Sequence, residues 1–77
     1  MKFDPAQSRA ARGLLEWSQE RVAKAARVGL STVRDFETRR QTPRQDNLAA
    51  IRKALENAGV KFLNAGKGGG PGVRLKR

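Results

Sequence analysis

The sequence predicts a mainly α fold, a compact domain of four to five short helices that ends in a short β-hairpin or an extended basic tail. Three observations predict it. Helix start signals recur at Asp4-Pro5, Ser18 and Thr42-Pro43, where a side-chain oxygen can accept from the free N–H groups of a first turn. Between them, apolar residues repeat every three or four positions, the period of a helix with one buried face. After Gly59 the period falls to two on either side of a glycine-rich stretch, the pattern of two short strands joined by a loop.

The first helix opens at Asp4, with Pro5 at its first position and Gln7 completing a variant capping box. Ala10, Ala11, Leu14 and Leu15 are expected to form its buried face, with Ser8, Arg9 and Arg12 on the polar side. Ser18 caps a second helix over Gln19–Ala26, and Trp17 and Val22 have the spacing of a hydrophobic staple. Two turns of helix do not persist alone in water, so this one must be held by packing. Leu30, Val33 and Phe36 then give a third short helix, residues 30–38, with Ser31, Arg34, Asp35 and Thr38 turned outward. Thr42-Pro43 starts the fourth helix, with Gln45 in a second capping box. Its buried face is Leu48, Ile51 and Leu55 with Ala54 and Ala58 alongside, and Gly59 ends it.

Val60–Leu63 and Val73–Lys76 read as strands around a loop with five Gly and one Pro between Asn64 and Gly72. A disordered basic tail is the alternative. An isolated hairpin is barely stable, so it must pack on the helices or on another chain. The chain therefore divides into residues 1–59, the helical domain, and residues 60–77, the tail.

Composition restricts the chemistry. The 77 residues suffice for one small core. With no Cys and no His, the chain has no disulfide, no thiolate metal site and no imidazole base. No nucleophile has a partner base, and no carboxylate pair has the setting for acid–base or metal work. No enzyme, cofactor or metal site is expected. Gly66-Lys67-Gly68 lacks the Ser or Thr and the strand-to-helix setting of a phosphate loop. There is no apolar run long enough to span a bilayer and no secretory h-region, so the expected location is cytoplasmic, in association with the nucleoid.

The charge implies an anionic partner. Seventeen Lys or Arg face seven Asp or Glu, a formal net charge of +10. Lys61 to Arg77 holds five bases and no acid, and Arg39 to Arg44 holds three Arg and no acid. Nucleic acid, anionic membrane and acidic protein are the candidates. A membrane helix needs a wide bulky apolar face, which no segment offers. RNA recognition usually needs exposed aromatics for stacking, and the aromatics are only Phe3, Trp17, Phe36 and Phe62.

Two short helices joined by a three-residue turn bury their stripes only by crossing steeply, which is a helix-turn-helix. Val22, Ala26, Val28, Val33 and Phe36 fill the apolar positions, and Ala23 is small at the closest approach. Residues 8 to 58 resemble the lambda-repressor-like (Cro/repressor) family. The similar segments are Ser18-Gln19-Glu20-Arg21-Val22-Ala23, Ser31-Thr32-Val33-Arg34-Asp35-Phe36-Glu37, Pro43, and Leu48-Ala49-Ala50-Ile51-Arg52-Lys53-Ala54-Leu55. Two departures stand out. Arg27 occupies the turn position where the family usually has Gly, and Gly29 replaces the usual Ser or Thr cap of the third helix. Either Arg27 adopts a left-handed conformation, or the turn shifts and Gly29 absorbs the unusual dihedral.

The resemblance implies a sequence-specific double-stranded DNA-binding transcriptional regulator of bacterial or phage type, a repressor acting as a homodimer on a palindromic operator. It implies base reading in the major groove by Leu30, Ser31, Arg34 and Asp35, with Arg34 suited to guanine and Asp35 to cytosine N4. Asp35 could instead pair with Arg39 at i,i+4. Phosphate contacts fall to Gln19, Thr32, Thr38, Arg39, Arg40 and Arg44, which position the protein without reading sequence. Arg12 and Glu37 are implied as an internal ion pair. Beyond the shared domain, Val60, Phe62, Leu63, Val73 and Leu75 are the candidate dimer interface, through strand pairing between copies. The alternative is a helix-turn-helix protein whose main ligand is another protein, an antiactivator or antitoxin. No small-molecule ligand is evident.

Overall fold

Side-chain capping sets the starts of the first two helices. A computed structural model describes residues 3–66 and 68–76, and in it four helices precede one hairpin: α1 Pro5–Leu15, α2 Gln19–Ala26, α3 Leu30–Glu37, α4 Gln45–Asn57, β1 Val60–Leu63 and β2 Gly72–Leu75. At α1 the capping box is complete. Asp4 accepts from the Ala6 N–H at 2.7 Å, and Gln7 Oε1 accepts from the Asp4 N–H at 3.0 Å. Ser18 caps α2 by accepting from the Arg21 N–H at 3.0 Å. The fourth helix starts later than Thr42-Pro43 indicates. Arg44 is its N-cap, and no side chain caps it. Ala58 is its C-cap, and Gly59 follows at φ 119°, the left-handed position that suits glycine.

The turn between α2 and α3 resolves the open question about its dihedrals. Arg27 takes the left-handed conformation at φ 59°, ψ 43°, while Gly29 is an ordinary extended N-cap at φ −69°. The turn is therefore not shifted. The Arg27 and Val28 N–H groups close the end of α2 on Lys24 and Ala23 carbonyls.

The expected face of α1 is corrected. Ala11 is buried, but Ala10 and Leu14 are exposed, and Leu15 is only half-buried. Gln7 and Ser8 are buried in their place, because both have internal hydrogen-bond partners that outweigh the cost of leaving water.

Phe3, Ala11, Val22, Ala23, Val33, Phe36, Ile51, Leu55, Val60 and Phe62 make one core. α2 packs on α3 and α4, while α1 packs on α3, α4 and the hairpin. The strands are antiparallel, with Val60 opposite Leu75, Lys61 opposite Arg74, Phe62 opposite Val73 and Leu63 opposite Gly72. Gln7 clamps the hairpin to α1, its Nε2 donating to the Leu63 carbonyl at 3.1 Å and the Gly72 carbonyl at 2.9 Å. The Phe3 ring touches Phe36 at 5.3 Å and Phe62 at 4.9 Å between centroids, joining α3 to the hairpin.

The tail is thus folded rather than a loose basic extension, and residue 59 divides the sequence but not the core. Val60 and Phe62 are buried in the chain's own interior, which removes their side chains from any interface with a second copy. Leu63 and Leu75 remain exposed at 37% each, and Val73 is half-buried. Lys67 and Arg77, two of the tail cations, and with Lys67 the centre of the Gly66–Gly68 motif, lie outside the described residues.

Candidate nucleic-acid interface

The third helix shows which side chains face outward. Val33 and Phe36 are buried, whereas Ser31 and Arg34 are exposed and Asp35 is half-buried. Leu30 is half-buried and packs against the core, so only part of it faces outward. Ser31, Thr32 and Asp35 share a depression with Gln41, Thr42, Pro43, Arg44 and Asn47. Of that wall only Arg44 is expected from the sequence, because no local pattern indicates that the loop and the start of α4 border α3.

A buried carboxylate fixes the end of this helix. Glu37 is 2% exposed. Arg12 grips it from α1, with Nη2 to Oε1 at 2.8 Å and Nε to both oxygens at 3.0 and 3.1 Å. Ser8 Oγ donates to Oε2 at 2.6 Å, and Gln19 Nε2 donates to Oε1 at 3.1 Å. Arg12 Nη1 also donates to the Trp17 carbonyl at 3.2 Å, and Arg9 donates to the Glu37 carbonyl. The cluster joins α1, the start of α2 and the end of α3. Burial alone pushes the Glu37 pKa up, but hydrogen bonds from Arg12, Ser8 and Gln19 and the Arg12 charge outweigh it, and the net shift is downward. The carboxylate stays ionised, as a permanent anchor must. Arg12 and Ser8, assigned to the polar side of α1, are polar yet turned inward; Arg12 keeps only 22% of its side chain exposed.

Four expected phosphate contacts have other partners here. One of Gln19's two amide N–H groups is occupied by Glu37, leaving the other and the backbone N–H at the helix start. Thr38 donates its hydroxyl proton to the Arg34 carbonyl at 2.8 Å, so that proton is not free for a phosphate in this arrangement. Arg39 pairs with Asp4 at 3.1 Å, not with Asp35. The cause is its backbone. Arg39 has φ 61°, and this left-handed residue turns the chain off the helix axis before an i,i+4 contact can form. Asp35 is left with no ion pair among the described residues. Arg44 pairs with Asp46 at 3.3 Å on the surface, an exposed contact of small energetic weight. Thr32 is half-buried on the same helix, and Arg40 and Arg34 are exposed with no acidic partner among the described residues.

The arrangement can present one helix to a groove, flanked by guanidinium groups and the free N–H groups of a helix start. Among the described residues no three His, Cys, Asp or Glu gather as a metal site, and no helix is long and apolar enough to cross a membrane. Residues 9–58 match the model of the family described as Helix-turn-helix. No curated protein matches the chain.

Proposed function

This chain belongs to the lambda-repressor/Cro-like helix-turn-helix family, a family of DNA-binding, generally non-enzymatic transcription regulators, and we propose that it is a sequence-specific repressor that binds a palindromic operator as a homodimer. The observation that carries the reading is α3 itself. Its outer surface carries exposed Ser31 and Arg34 while its inner end is locked by the Glu37 cluster. A side chain reads bases only if the helix beneath it does not rock.

In this reading Arg34 donates to guanine O6 and N7, Ser31 and Asp35 contact neighbouring bases, and the exposed part of Leu30 meets a thymine methyl. Gln19, Thr32, Arg39, Arg40 and Arg44 hold phosphates, with Thr38 joining only if its hydroxyl leaves the Arg34 carbonyl. Two such units on a two-fold operator sit one helical turn apart, about 34 Å. The dimer surface is the hairpin, through Leu63, Leu75, the exposed part of Val73 and the outer strand edges left free by a two-stranded ladder.

The test is selection of bound duplexes from a random DNA pool, then band shifts on the recovered sequence. The expected result is a single enriched motif whose binding falls about 10³-fold or more between 50 and 200 mM salt if about six phosphates are neutralised. A pool that enriches nothing would favour a protein partner as the main ligand, as for an antiactivator or antitoxin. For the dimer, Leu63→Lys/Leu75→Lys should sediment as a monomer; a variant that remains dimeric removes the hairpin from the interface.

A further inference from the structure

Lys61 and Arg74 are register partners across the hairpin, so both side chains leave the same face of the sheet. That face is the outward one, since the alternate residues Val60 and Phe62 are buried. Both cations are exposed. Neither meets a carboxylate: the ion pairs among the described residues are Arg12–Glu37, Arg39–Asp4, Arg44–Asp46 and Arg52–Glu56. Like charges directly opposite weaken an antiparallel pair, and no acid between Val60 and Arg77 offsets the effect. Lys76 continues the row, its Nζ fixed on the Glu56 carbonyl at 2.9 Å. Toward the tip, Gly66, Gly68, Gly69 and Gly70 have open space where a Cβ would stand, so no side chain of their own blocks a bulky anion.

We propose that this face is a second phosphate-backbone contact, in which Lys61 and Arg74 together engage duplex DNA outside the half-site read by α3. The proposal rests on the DNA-binding reading above. The hairpin packs on α1 and α4, whereas α3 packs on α1 and α2, so the two cationic surfaces are carried by different elements of the domain. The longest dimension is 34 Å, about ten base pairs of B-DNA at roughly 3.4 Å each. DNA longer than that supplies flanking phosphates. Leu63 shares this face, so a dimer built on Leu63 and Leu75 must keep Lys61 and Arg74 clear of the two-fold axis, where the same cations would meet. Paired point charges on a glycine-tipped hairpin recognise phosphate without reading sequence.

The experiment compares Lys61→Gln/Arg74→Gln with Lys24→Gln/Lys53→Gln, which has the same net charge. Each full-length protein is titrated with a mixed-sequence duplex of about 30 bp across 50 to 200 mM salt, and with vesicles containing phosphatidylserine. The hairpin variant should show a log–log salt dependence shallower by about 1.8 per bound protomer, one phosphate lost per cation, while the control keeps the wild-type slope. Its melting temperature should not fall, since an unfavourable charge opposition has been relieved. Equal slopes for wild type and hairpin variant, an equal change in the control, or a lowered melting temperature would each overturn the proposal. So would loss of vesicle binding in the hairpin variant with an unchanged DNA slope, which would assign the face to membranes. Wild-type protein that binds no duplex at low salt would instead remove the DNA-binding reading itself.

Discussion

Gln19 Nε2 donates a 3.1 Å hydrogen bond to Glu37 Oε1, so the first residue of α2 is held by the last residue of α3. The same oxygen takes the 2.8 Å bond from Arg12. One carboxylate therefore sets the angle between two short helices that have few turns with which to set it themselves.

Replacing Glu37 by Gln should destabilise the protein by about 3 kcal/mol, because it leaves Arg12 without its counter-charge in a largely buried position. For a domain of this size that is roughly 4–8 °C of melting temperature per kcal/mol. Arg12→Met/Glu37→Met should cost less than the sum of its single variants, since the unpaired charge is then gone. Thermal denaturation followed by circular dichroism checks both.

Acid should weaken the fold through the same group. The Glu37 pKa is lower in the folded chain than its ordinary value, so its contribution is fully present above the unfolded carboxylate pKa of about 4.3. The contribution is lost as pH falls from there through the folded pKa. Urea titrations at neutral pH and at steps below about pH 4.3 should show the gap between wild type and Glu37→Gln closing as pH falls.

Arg27→Gly should stabilise the turn. The left-handed conformation at φ 59° costs a non-glycine residue roughly 1–2 kcal/mol, and the added freedom of glycine in the unfolded chain returns about 0.4–1 kcal/mol of that. A net gain of about 0.5–1 kcal/mol should appear as a higher urea midpoint with an unchanged slope. No gain would mean that the Arg27 side chain stabilises its unfavourable backbone.

Arg34→Ala and Arg40→Ala should separate reading from holding. Loss of Arg34 should cost roughly 1–3 kcal/mol on the preferred sequence and relax selectivity at one base pair. Loss of Arg40 should weaken all duplexes alike and make the salt dependence shallower by about 0.9 per protomer. Anisotropy titrations on the selected duplex and its single-base variants distinguish the two.

Features governed by neighbouring residues were legible in the sequence. The Asp4, Ser18 and Gly59 signals are local hydrogen-bond and dihedral requirements, and α1 and α2 begin where they indicate. The helix-turn-helix stripe was legible because Val22, Val33 and Phe36 have no competing use. Partners distant in sequence were legible only through the resemblance, which implied the Arg12–Glu37 pair found at 2.8 Å. The residues' own polarity places Ser8 and Arg12 outside, although both point inward to that carboxylate 29 and 25 residues away. Arg39 reaches Asp4 across 35 residues, where spacing alone offers Asp35. The alternation around Phe62 correctly suggested a strand but could not tell whether its buried side faced this chain or another. That depended on the Phe3 ring and the Gln7 clamp, both outside the tail.

The Phe3–Phe62 contact has a consequence for synthesis. The rings meet at 4.9 Å although 58 residues lie between them, so a nascent chain cannot close its core until Phe62 has emerged from the ribosome. Before then the Phe3 ring can already meet Phe36 but lacks its second partner. All four helices are therefore made before the hairpin can complete the core around Phe3.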